Sequence, residues 1–404
     1  MDYAIPTQFL TNLTNTFATL IDSPTLSKYL AFIPIVLISF FITFFLTPII
    51  GKIAWSIGAT YKPKTKRRGK EFDNPEKAMH KLETASLGGL AVTLPAFIIA
   101  ALSFQLNSFT APILLALLVL IIGSTFDDIF NLDSRIQFGY QILAALIIVL
   151  SVIDLSEIGL IEQEFLNLSA YSIRFDIFTF PISVILPGDI LLFFWLLLCL
   201  NAVKWVGGSP GLLESYSGVI FTLLFIIGIR MASTFTATIS IAMSASLLAF
   251  LFYAIPPEKI MSGSSGRSVY GFMIALLALI SDAKISTSIM LLGLPVLDAL
   301  FVIVRRVVIH KPKSIKALLK INDTSHFHHR LLQLKLTRIQ VLLVESSIAL
   351  LFGSIAIASV GAMRYFAVIF GIALIFLLIV IINNKANKKR DKEKKKSPES
   401  KYSY

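Results

Sequence analysis

Long apolar runs of membrane-spanning length constrain this chain more than any other feature. Residues 111–126 read Ala-Pro-Ile-Leu-Leu-Ala-Leu-Leu-Val-Leu-Ile-Ile-Gly-Ser-Thr-Phe, without one charged residue. A transmembrane helix needs roughly 20 mostly apolar residues. A 404-residue chain that is 56% hydrophobic and 15% charged cannot hide so much apolar surface in a soluble core. A membrane β-barrel would show short alternating segments instead. The sequence therefore predicts an all-α polytopic membrane protein.

The apolar blocks predict about eleven transmembrane helices. They make up a membrane domain over 30–383, which lies between an N-terminal segment, 1–29, and a basic tail, 384–404, predicted to be disordered. The predicted spans are 30–53, 86–105, 109–126, 139–155, 189–206, 216–231, 236–255, 268–281, 284–308, 339–361 and 363–383.

The distribution of Lys and Arg predicts the orientation of these spans. Basic residues concentrate in the loop 52–81, in the loop that follows the ninth span, and in the tail, whereas the loop 154–189 is mainly acidic. Because basic loops stay on the cytoplasmic side, eleven spans with the N-terminus outside and the C-terminus inside satisfy every loop. The net charge of +12 is then accounted for by topology, and no nucleic-acid partner is predicted.

One external segment has a different pattern. Residues 169–185 are rich in β-branched and aromatic residues, among them Ile173, Phe175 and Ile177. This composition predicts a small β-hairpin or amphipathic flap at the outer membrane interface.

Asp127 and Asp128 end the apolar run 111–126. Two adjacent carboxylates at a membrane boundary are costly unless something cationic neutralises them. A divalent metal or a cationic partner would do so, and Mg²⁺ is commonly held by one or two carboxylates together with phosphate oxygens of a substrate.

Other polar clusters fall on the same predicted cytoplasmic face. A glycine-rich segment that enters a helix, 261–268, presents backbone N–H groups suited to phosphate. The basic loop with His326, His328, His329 and Arg330 supplies donors for a diphosphate. Zinc is disfavoured there because no cysteine lies nearby. Together these clusters predict phosphoryl chemistry on a lipid-embedded substrate.

The motifs and their order resemble one enzyme family. They are His80…Ser86-Leu-Gly-Gly89, Asp127-Asp128…Asn131-Leu, Asn201-Ala-Val…Gly208…Gly211-Leu, Gly263…Gly266…Gly271-Phe, Pro295-Val-Leu-Asp298 and His326-Phe-His328-His329-Arg330. With these motifs, residues 35–380 resemble the polyprenyl-phosphate N-acetylhexosamine-1-phosphate transferases, also called glycosyltransferase family 4. That family includes undecaprenyl-phosphate N-acetylglucosamine-1-phosphate transferase and phospho-N-acetylmuramoyl-pentapeptide transferase.

The resemblance implies an activity and a set of partners. The implied reaction transfers a HexNAc 1-phosphate from a UDP-sugar to polyprenyl (undecaprenyl) phosphate and releases UMP, with Mg²⁺, in cell-wall or surface-polysaccharide synthesis. The implied location is the inner (plasma) membrane with a cytoplasmic active face, and a homodimer is a candidate assembly because dimers occur in the family. The histidine motif favours a simple UDP-HexNAc over the pentapeptide substrate.

The resemblance also assigns roles to single residues. One of Asp127 and Asp128 would activate the lipid phosphate or act as nucleophile, and the other would help to hold the metal. Asn201 would line the nucleotide site, and His326, His328 and His329 would bind the diphosphate. Lys204, Arg267 and Arg330 are further predicted substrate-binding residues.

The chain departs from the family pattern at its acidic positions. Gly207, Pro210 and Ser264 stand where the family has aspartates, and Lys204 and Arg267 bring two cations into the same region. Ser264 replaces a family metal ligand, so Mg²⁺ would be held weakly. The cations are hypothesised to pair directly with Asp127 and Asp128 instead.

Three hypotheses follow from these departures. The first is an active, divergent transferase in which the cations partly replace the metal, with Glu214 or Asp298 as a further ligand. The second is a catalytically degenerate relative that binds polyprenyl phosphate or a nucleotide sugar as a scaffold or regulator. The third is a transporter or flippase with an unrelated mechanism.

Overall fold

The structure is a computed structural model. It describes residues 5–18, 24–61, 66–67, 70–71, 83–153, 170–177, 180–281, 285–314, 317, 321, 324–359 and 362–396. Its helices are α1 (Gln8–Ala18), α2 (Pro24–Leu30), α3 (Ile33–Ser56), α4 (Gly88–Ser103), α5 (Thr110–Phe130), α6 (Ser134–Val149), α7 (Gly188–Val206), α8 (Leu212–Arg230), α9 (Thr234–Ala254), α10 (Gly263–Ile280), α11 (Ile285–His310), α12 (Phe327–Gln333), α13 (Arg338–Ala358) and α14 (Ala362–Lys396). Its strands are β1 (Thr60–Tyr61), β2 (Lys66–Arg67), β3 (Lys70–Glu71), β4 (Thr84–Ala85), β5 (Tyr171–Ile177) and β6 (Phe180–Leu186).

The predicted all-α membrane architecture is confirmed. In the part of the chain that the structure describes, nine helices are long and apolar enough to cross a membrane, and α4 and α6 are shorter apolar helices. These eleven helices coincide with the eleven predicted segments. The number of helices that cross the bilayer and their orientation remain predictions.

Helices α6 and α10 begin well before their predicted spans, and both shifts concern the candidate site. Helix α6 begins at Ser134 and not at 139, and α10 begins at Gly263 and not at 268. The predictions followed the apolar blocks, whereas helical hydrogen bonds extend equally well through the polar residues that precede them. As a result, Gln137 and Arg267 lie on helices and not in loops.

The start of the basic tail also differs from its prediction. Helix α14 continues through residues 384–396, which were expected to be disordered. Propagation of an existing helix adds one hydrogen bond per residue without a new nucleation cost, and Lys, Arg and Glu are good helix formers. Residues 397–404 lie outside the described residues.

A two-stranded hairpin lies at the predicted position. Strands β5 and β6 pair antiparallel from Tyr171↔Leu186 to Ile177↔Phe180. Tyr171 and Ile173 on β5 are largely exposed. The external location of the hairpin remains a prediction.

Helix α10 forms the centre of the bundle. Its residues are buried from Gly263 to Leu279, apart from a half-buried Arg267. It packs against α4, α5, α7, α8 and α11. A helix that is buried on all sides can be apolar all round, and the polar first turn of α10 therefore requires partners within the protein.

Candidate functional site

Asp127 lies in the last turn of α5 and faces α6. Its Oδ1 accepts hydrogen bonds from Leu132 N at 3.0 Å and from Gln137 Nε2 at 2.9 Å. Helix α5 ends at Phe130, and the residue that caps it, Asn131, has a left-handed φ of 50°. This conformation turns the chain toward α6. The carboxylate therefore holds the turn between α5 and α6. Its second oxygen accepts no hydrogen bond from a described residue.

Asp128 faces the first turn of α10. Its Oδ1 accepts a hydrogen bond from Ser264 N at 2.7 Å, and its Oδ2 accepts one from Ser265 N at 2.9 Å. These are N–H groups that the helix itself leaves without partners, and they lie at its positive end. Asp128 thus caps a helix that is distant in sequence, and it neutralises the exposed dipole end of the central helix.

Gly263 makes this approach of Asp128 to α10 feasible. Its φ of +66° lies in the left-handed region, and a Cβ at this position would overlap Ser86 O and Asp128 Oδ2. Only glycine fits a position with this backbone conformation and this contact.

The segment that contains Ser86 joins the same end of α10. Gly88 N donates to Met261 O at 2.9 Å, and Gly89 N donates to Ser262 O at 2.8 Å. Gly89 also lies against Gly266, where a Cβ would overlap the backbone. The glycine motif that ends at Gly89 and the glycine-rich segment 261–268 are therefore in direct backbone contact. His80, which belongs to the first of them, lies outside the described residues.

Lys204 reaches Asp127 through an intermediary. Its Nζ donates to Gln137 Oε1 at 2.9 Å, and the amide nitrogen of Gln137 donates to Asp127. One turn along α6, Gln141 Oε1 accepts from Asn201 Nδ2 at 3.0 Å. Two glutamines of α6 therefore position Asn201 and Lys204 of α7.

Arg267 reaches Asp128 in the same indirect way. Its Nη2 donates to the hydroxyl of Tyr61, its guanidinium lies over the Tyr61 ring at 5.2 Å, and its Nε donates to Gly263 O at 3.0 Å. The Tyr61 hydroxyl is 3.5 Å from Asp128 Oδ1. Burial, opposed by Arg267 and reinforced by Asp128 and Asp127, raises the pKa of Tyr61 to about 12. The phenol is therefore neutral at physiological pH and can donate to the carboxylate.

The hypothesis of direct ion pairs is consequently wrong. Within the described residues, neither Lys204 nor Arg267 comes within 4.0 Å of a carboxylate oxygen of Asp127 or Asp128. Backbone amides already occupy Asp128, and Gln137 stands between Asp127 and Lys204. The cations keep their charge close to the carboxylates without a direct contact.

The histidine cluster is positioned by α11. His326 Nδ1 lies 2.8 Å from Asp298 Oδ2, and Phe327 N donates to Asp298 Oδ1 at 2.9 Å. The His326 ring also packs against Trp205 of α7 at 5.3 Å. Asp298 therefore positions both His326 and the start of α12.

The other residues of the cluster lie in α12. His328 and Arg330 are buried, and Arg330 donates to Gln333 Oε1 at 2.9 Å. The rings of His328 and His329 lie 4.3 Å apart. Burial, with smaller contributions from His329 and His326, holds the pKa of His328 well below its usual range, so this ring is neutral.

A glycine pair connects the histidine cluster to the carboxylates. A Cβ on Gly207 would lie 2.7 Å from Arg267 Cδ, and a Cβ on Gly208 would lie 2.5 Å from His328 Nε2. The turn 207–208 is therefore packed between Arg267 on one side and His328 on the other. Together, the sequence-predicted residues line one end of α5, α7 and α10 and continue to α12.

Comparison with known proteins finds related sequences. Residues 110–282 match the model of glycosyl transferase family 4. The probable undecaprenyl-phosphate N-acetylglucosaminyl 1-phosphate transferase of Bacillus subtilis (strain 168) is 26% identical over 356 residues, which are 86% of this chain and 88% of that protein. Phospho-N-acetylmuramoyl-pentapeptide-transferases of Halalkalibacterium halodurans and Staphylococcus carnosus are each 26% identical, over 63% and 53% of this chain and 78% and 67% of those proteins.

Residues 110–282 are similar to glycosyl transferase family 4. The resemblance predicted from the motifs is therefore confirmed. The matched region contains Asp127, Asp128, Asn201, Lys204 and Arg267, and so most of the site that the geometry delimits.

The carboxylates of this chain do not form the ligand set that Mg²⁺ prefers. Consecutive helical residues point about 100° apart, and Asp127 and Asp128 accordingly face α6 and α10. Three of their four oxygens already accept hydrogen bonds. Across the described ranges, no group of three or more His, Cys, Asp or Glu residues is placed to share a metal ion.

The two additional ligands considered from the sequence do not complete such a set either. Glu214 is buried and accepts a hydrogen bond from Ser262 Oγ at 2.5 Å. Asp298 is occupied by His326 and Phe327. Each of these acids stabilises its own part of the fold.

Sequence reasoning missed Gln137, Gln141 and Tyr61. A signal for the first pair was present, because Gln137 and Gln141 stand four residues apart in a largely apolar helix and therefore share a face. Tyr61 carried no comparable signal, since its position depends on the pairing of β1 with β4, which begins at Thr84.

Proposed function

We propose that this chain transfers a sugar 1-phosphate from a UDP-sugar to a polyprenyl phosphate and releases UMP. One observation carries the proposal: Asp127, Asp128, Lys204 and Arg267 converge at one end of α5, α7 and α10, within the region matched by the family model. The names of the relatives supply the lipid and sugar classes.

The proposed reaction is one displacement at phosphorus. An oxygen of the lipid phosphate attacks the phosphorus that carries the sugar, a new P–O bond forms, and the P–O bond to UMP breaks. Phosphoryl transfer depends mainly on positioning and on stabilisation of charge. Two cations and two carboxylates at one site can hold the anionic reactants and accept a proton from the lipid phosphate.

Among the two carboxylates, Asp127 is the proposed base. Its Oδ2 has no hydrogen-bond donor among the described residues, whereas both oxygens of Asp128 are occupied by α10. Asp128 is proposed to position α10, and with it Arg267. Asn201, His326, His328, His329 and Arg330 are proposed to line the nucleotide and diphosphate regions.

The finer assignments rest on the relatives. An undecaprenyl-phosphate N-acetylglucosaminyl 1-phosphate transferase matches 86% of the chain, so a UDP-N-acetylhexosamine is the proposed donor. We place the reaction at the cytoplasmic face of the plasma membrane, in cell-wall or surface-polysaccharide synthesis, because the basic loops predict that face. A homodimer is the proposed assembly by analogy with the family.

A second function is favoured by one observation. The amides of α10 that could approach a substrate phosphate already bind Asp128. This arrangement also suits a non-catalytic relative that binds polyprenyl phosphate or a nucleotide sugar as a scaffold or regulator.

Turnover by the purified chain separates the two functions. The chain, reconstituted in nanodiscs with undecaprenyl phosphate, is incubated with a panel of radiolabelled UDP-sugars, and both lipid-linked label and UMP are measured. Asp127→Asn should abolish both products. Asp133→Asn is the matched control, because Asp133 is an exposed carboxylate at the start of α6 and Asn is an equally good helix cap.

Each result decides between the functions. Product that is lost in Asp127→Asn and kept in Asp133→Asn supports the transferase. Absence of product together with saturable UDP binding supports the scaffold. Absence of both overturns the whole proposal.

A further inference from the structure

We infer that Lys204 and Arg267 take the place of a divalent metal ion in this site and bind the diphosphate of a nucleotide without one. The inference rests on the proposed function, because it assigns the same site a ligand that carries a diphosphate. Together the two side chains carry the formal charge of one divalent ion.

Lys204 is positioned with unused donors. Its ammonium group has three N–H donors, and among the described residues one of them has a partner, Gln137 Oε1 at 2.9 Å. That partner is neutral, so it orients the ammonium group without cancelling its charge. The half-buried side chain is therefore fixed in place while its other donors remain for an anion.

Arg267 is positioned by the same principle. Its Nε donates to Gly263 O and its Nη2 donates to the Tyr61 hydroxyl, and both acceptors are neutral. A guanidinium has five N–H donors in a rigid fork that matches phosphate oxygens. The remaining donors of this half-buried group can bind two phosphate oxygens together.

Gly207 packs directly against the side chain of Arg267. At position 207, where the family pattern has an aspartate, even a Cβ would lie 2.7 Å from Arg267 Cδ and 3.1 Å from its Cγ. A side chain at position 207 would therefore require Arg267 to shift from its present position. Glycine at position 207 thus leaves room for the arginine in this site.

A purely structural role for the cations fits the contacts less well. Buried cations that serve to neutralise buried carboxylates contact them directly, since a charge left unpaired is costly. Here, within the described part of the chain, the cations contact a glutamine, a tyrosine and a backbone carbonyl, while the carboxylates are satisfied by amides. This arrangement leaves N–H donors on both cations for an anionic ligand.

Binding of UDP with and without divalent ions tests the inference. The purified full-length chain is titrated with UDP by calorimetry in excess EDTA and again in millimolar Mg²⁺. The dissociation constant is expected to agree within about threefold between the two buffers. Lys204→Gln and Arg267→Gln should each weaken binding about 10- to 100-fold, the loss of one charge-assisted contact.

Two further variants keep the test independent of folding. Lys204→Arg retains the charge and should restore binding to within about threefold. Arg135→Gln removes an exposed cation next to Gln137 on α6 and should leave binding unchanged. Paramagnetic resonance of Mn²⁺ added to the protein alone should show no stoichiometric binding site.

The outcomes separate the inference from the proposed function. UDP binding that requires Mg²⁺, or a stoichiometric Mn²⁺ site, would overturn the inference and leave the transferase proposal standing. Failure of UDP to bind in either buffer would overturn both.

Discussion

Replacement of Gly263 by alanine should damage the site far more than a glycine-to-alanine change elsewhere. The added Cβ meets two obstacles at once. The backbone is left-handed with φ +66°, and the Cβ would overlap Ser86 O and Asp128 Oδ2, with Asp128 Oδ1 at 2.6 Å. Relief of both overlaps requires the carboxylate to move away and the backbone around Ser86 or Gly263 to shift.

The two costs can be separated. A left-handed conformation costs a non-glycine residue about 1–2 kcal/mol. Displacement of Asp128 also breaks its hydrogen bonds from Ser264 N and Ser265 N. A hydrogen bond to a charged group contributes about 1.5–3 kcal/mol, so loss of both adds at least about 3 kcal/mol. A shift of about 1 Å at a reacting group can also cost about 100-fold in rate.

Gly58 supplies the matched control. Its φ is +72°, almost the same as that of Gly263, but a Cβ there would meet no described residue within 4 Å. Gly58→Ala therefore carries the backbone cost alone. We expect a small fall in the apparent unfolding temperature and product formation within about twofold of wild type, since the site is untouched.

The comparison uses two measurements on protein in detergent. Tryptophan fluorescence during heating gives the apparent unfolding temperature, and lipid-linked label gives the rate of product formation. Gly263→Ala should lower the temperature clearly more than Gly58→Ala and lower the rate about 100-fold. Equal effects of the two variants on both measurements would refute the argument that Asp128 and α10 are held together through this glycine.

Three further predictions concern the groups around the carboxylates. Gln137→Leu removes the hydrogen-bonded link between Asp127 and Lys204 and should weaken UDP binding about 10-fold. An unchanged dissociation constant for UDP would show that the position of Lys204 does not depend on this link. Tyr61→Phe should weaken binding similarly, but the pH profile of binding between pH 7 and 10 should keep its shape, because the wild-type phenol has a pKa of about 12 and is neutral throughout. His328 is held neutral by burial, with a pKa well below 6.5 in the folded chain and about 6.5 in the unfolded chain. Below pH 6.5 only the unfolded chain takes up the proton, so the free energy of unfolding should fall as the pH falls, by at most about 1.4 kcal/mol per pH unit. Unfolding temperatures measured from pH 5 to 8 should show this slope in wild type and a shallower one in His328→Gln, and equal slopes would contradict the assignment.

The helices were predictable because hydropathy reports burial in lipid directly. The eleven apolar segments coincide with eleven helices, and the motifs meet because they stand at helix ends on one predicted face. The backbone contact between Gly88 and Met261 was not predicted as such, yet it follows from the same alternation of helix directions.

The partners of single side chains were not predictable in the same way. Asp127 and Asp128 were expected to share one cation or metal ion because they are adjacent in sequence. Helical geometry sends neighbouring side chains about 100° apart, so each carboxylate found its own partners. Helix starts were misjudged for a related reason, since the polar first turns of α6 and α10 carry no hydropathy signal. Tyr61 depends on strand pairing over a long loop, which no local pattern encodes.

The position of Asp128 on α10 has a consequence for affinity. A phosphate that approaches Ser264 N and Ser265 N finds a carboxylate already there, so it competes with an anion that belongs to the protein. The free energy of phosphate binding at these amides is then the difference between their interaction with the phosphate and their interaction with the Asp128 carboxylate. Return of the carboxylate to the amides also assists release of a phosphate product. Removal of its charge, as in Asp128→Asn, weakens the competitor and should make nucleotide binding tighter even while it stops turnover.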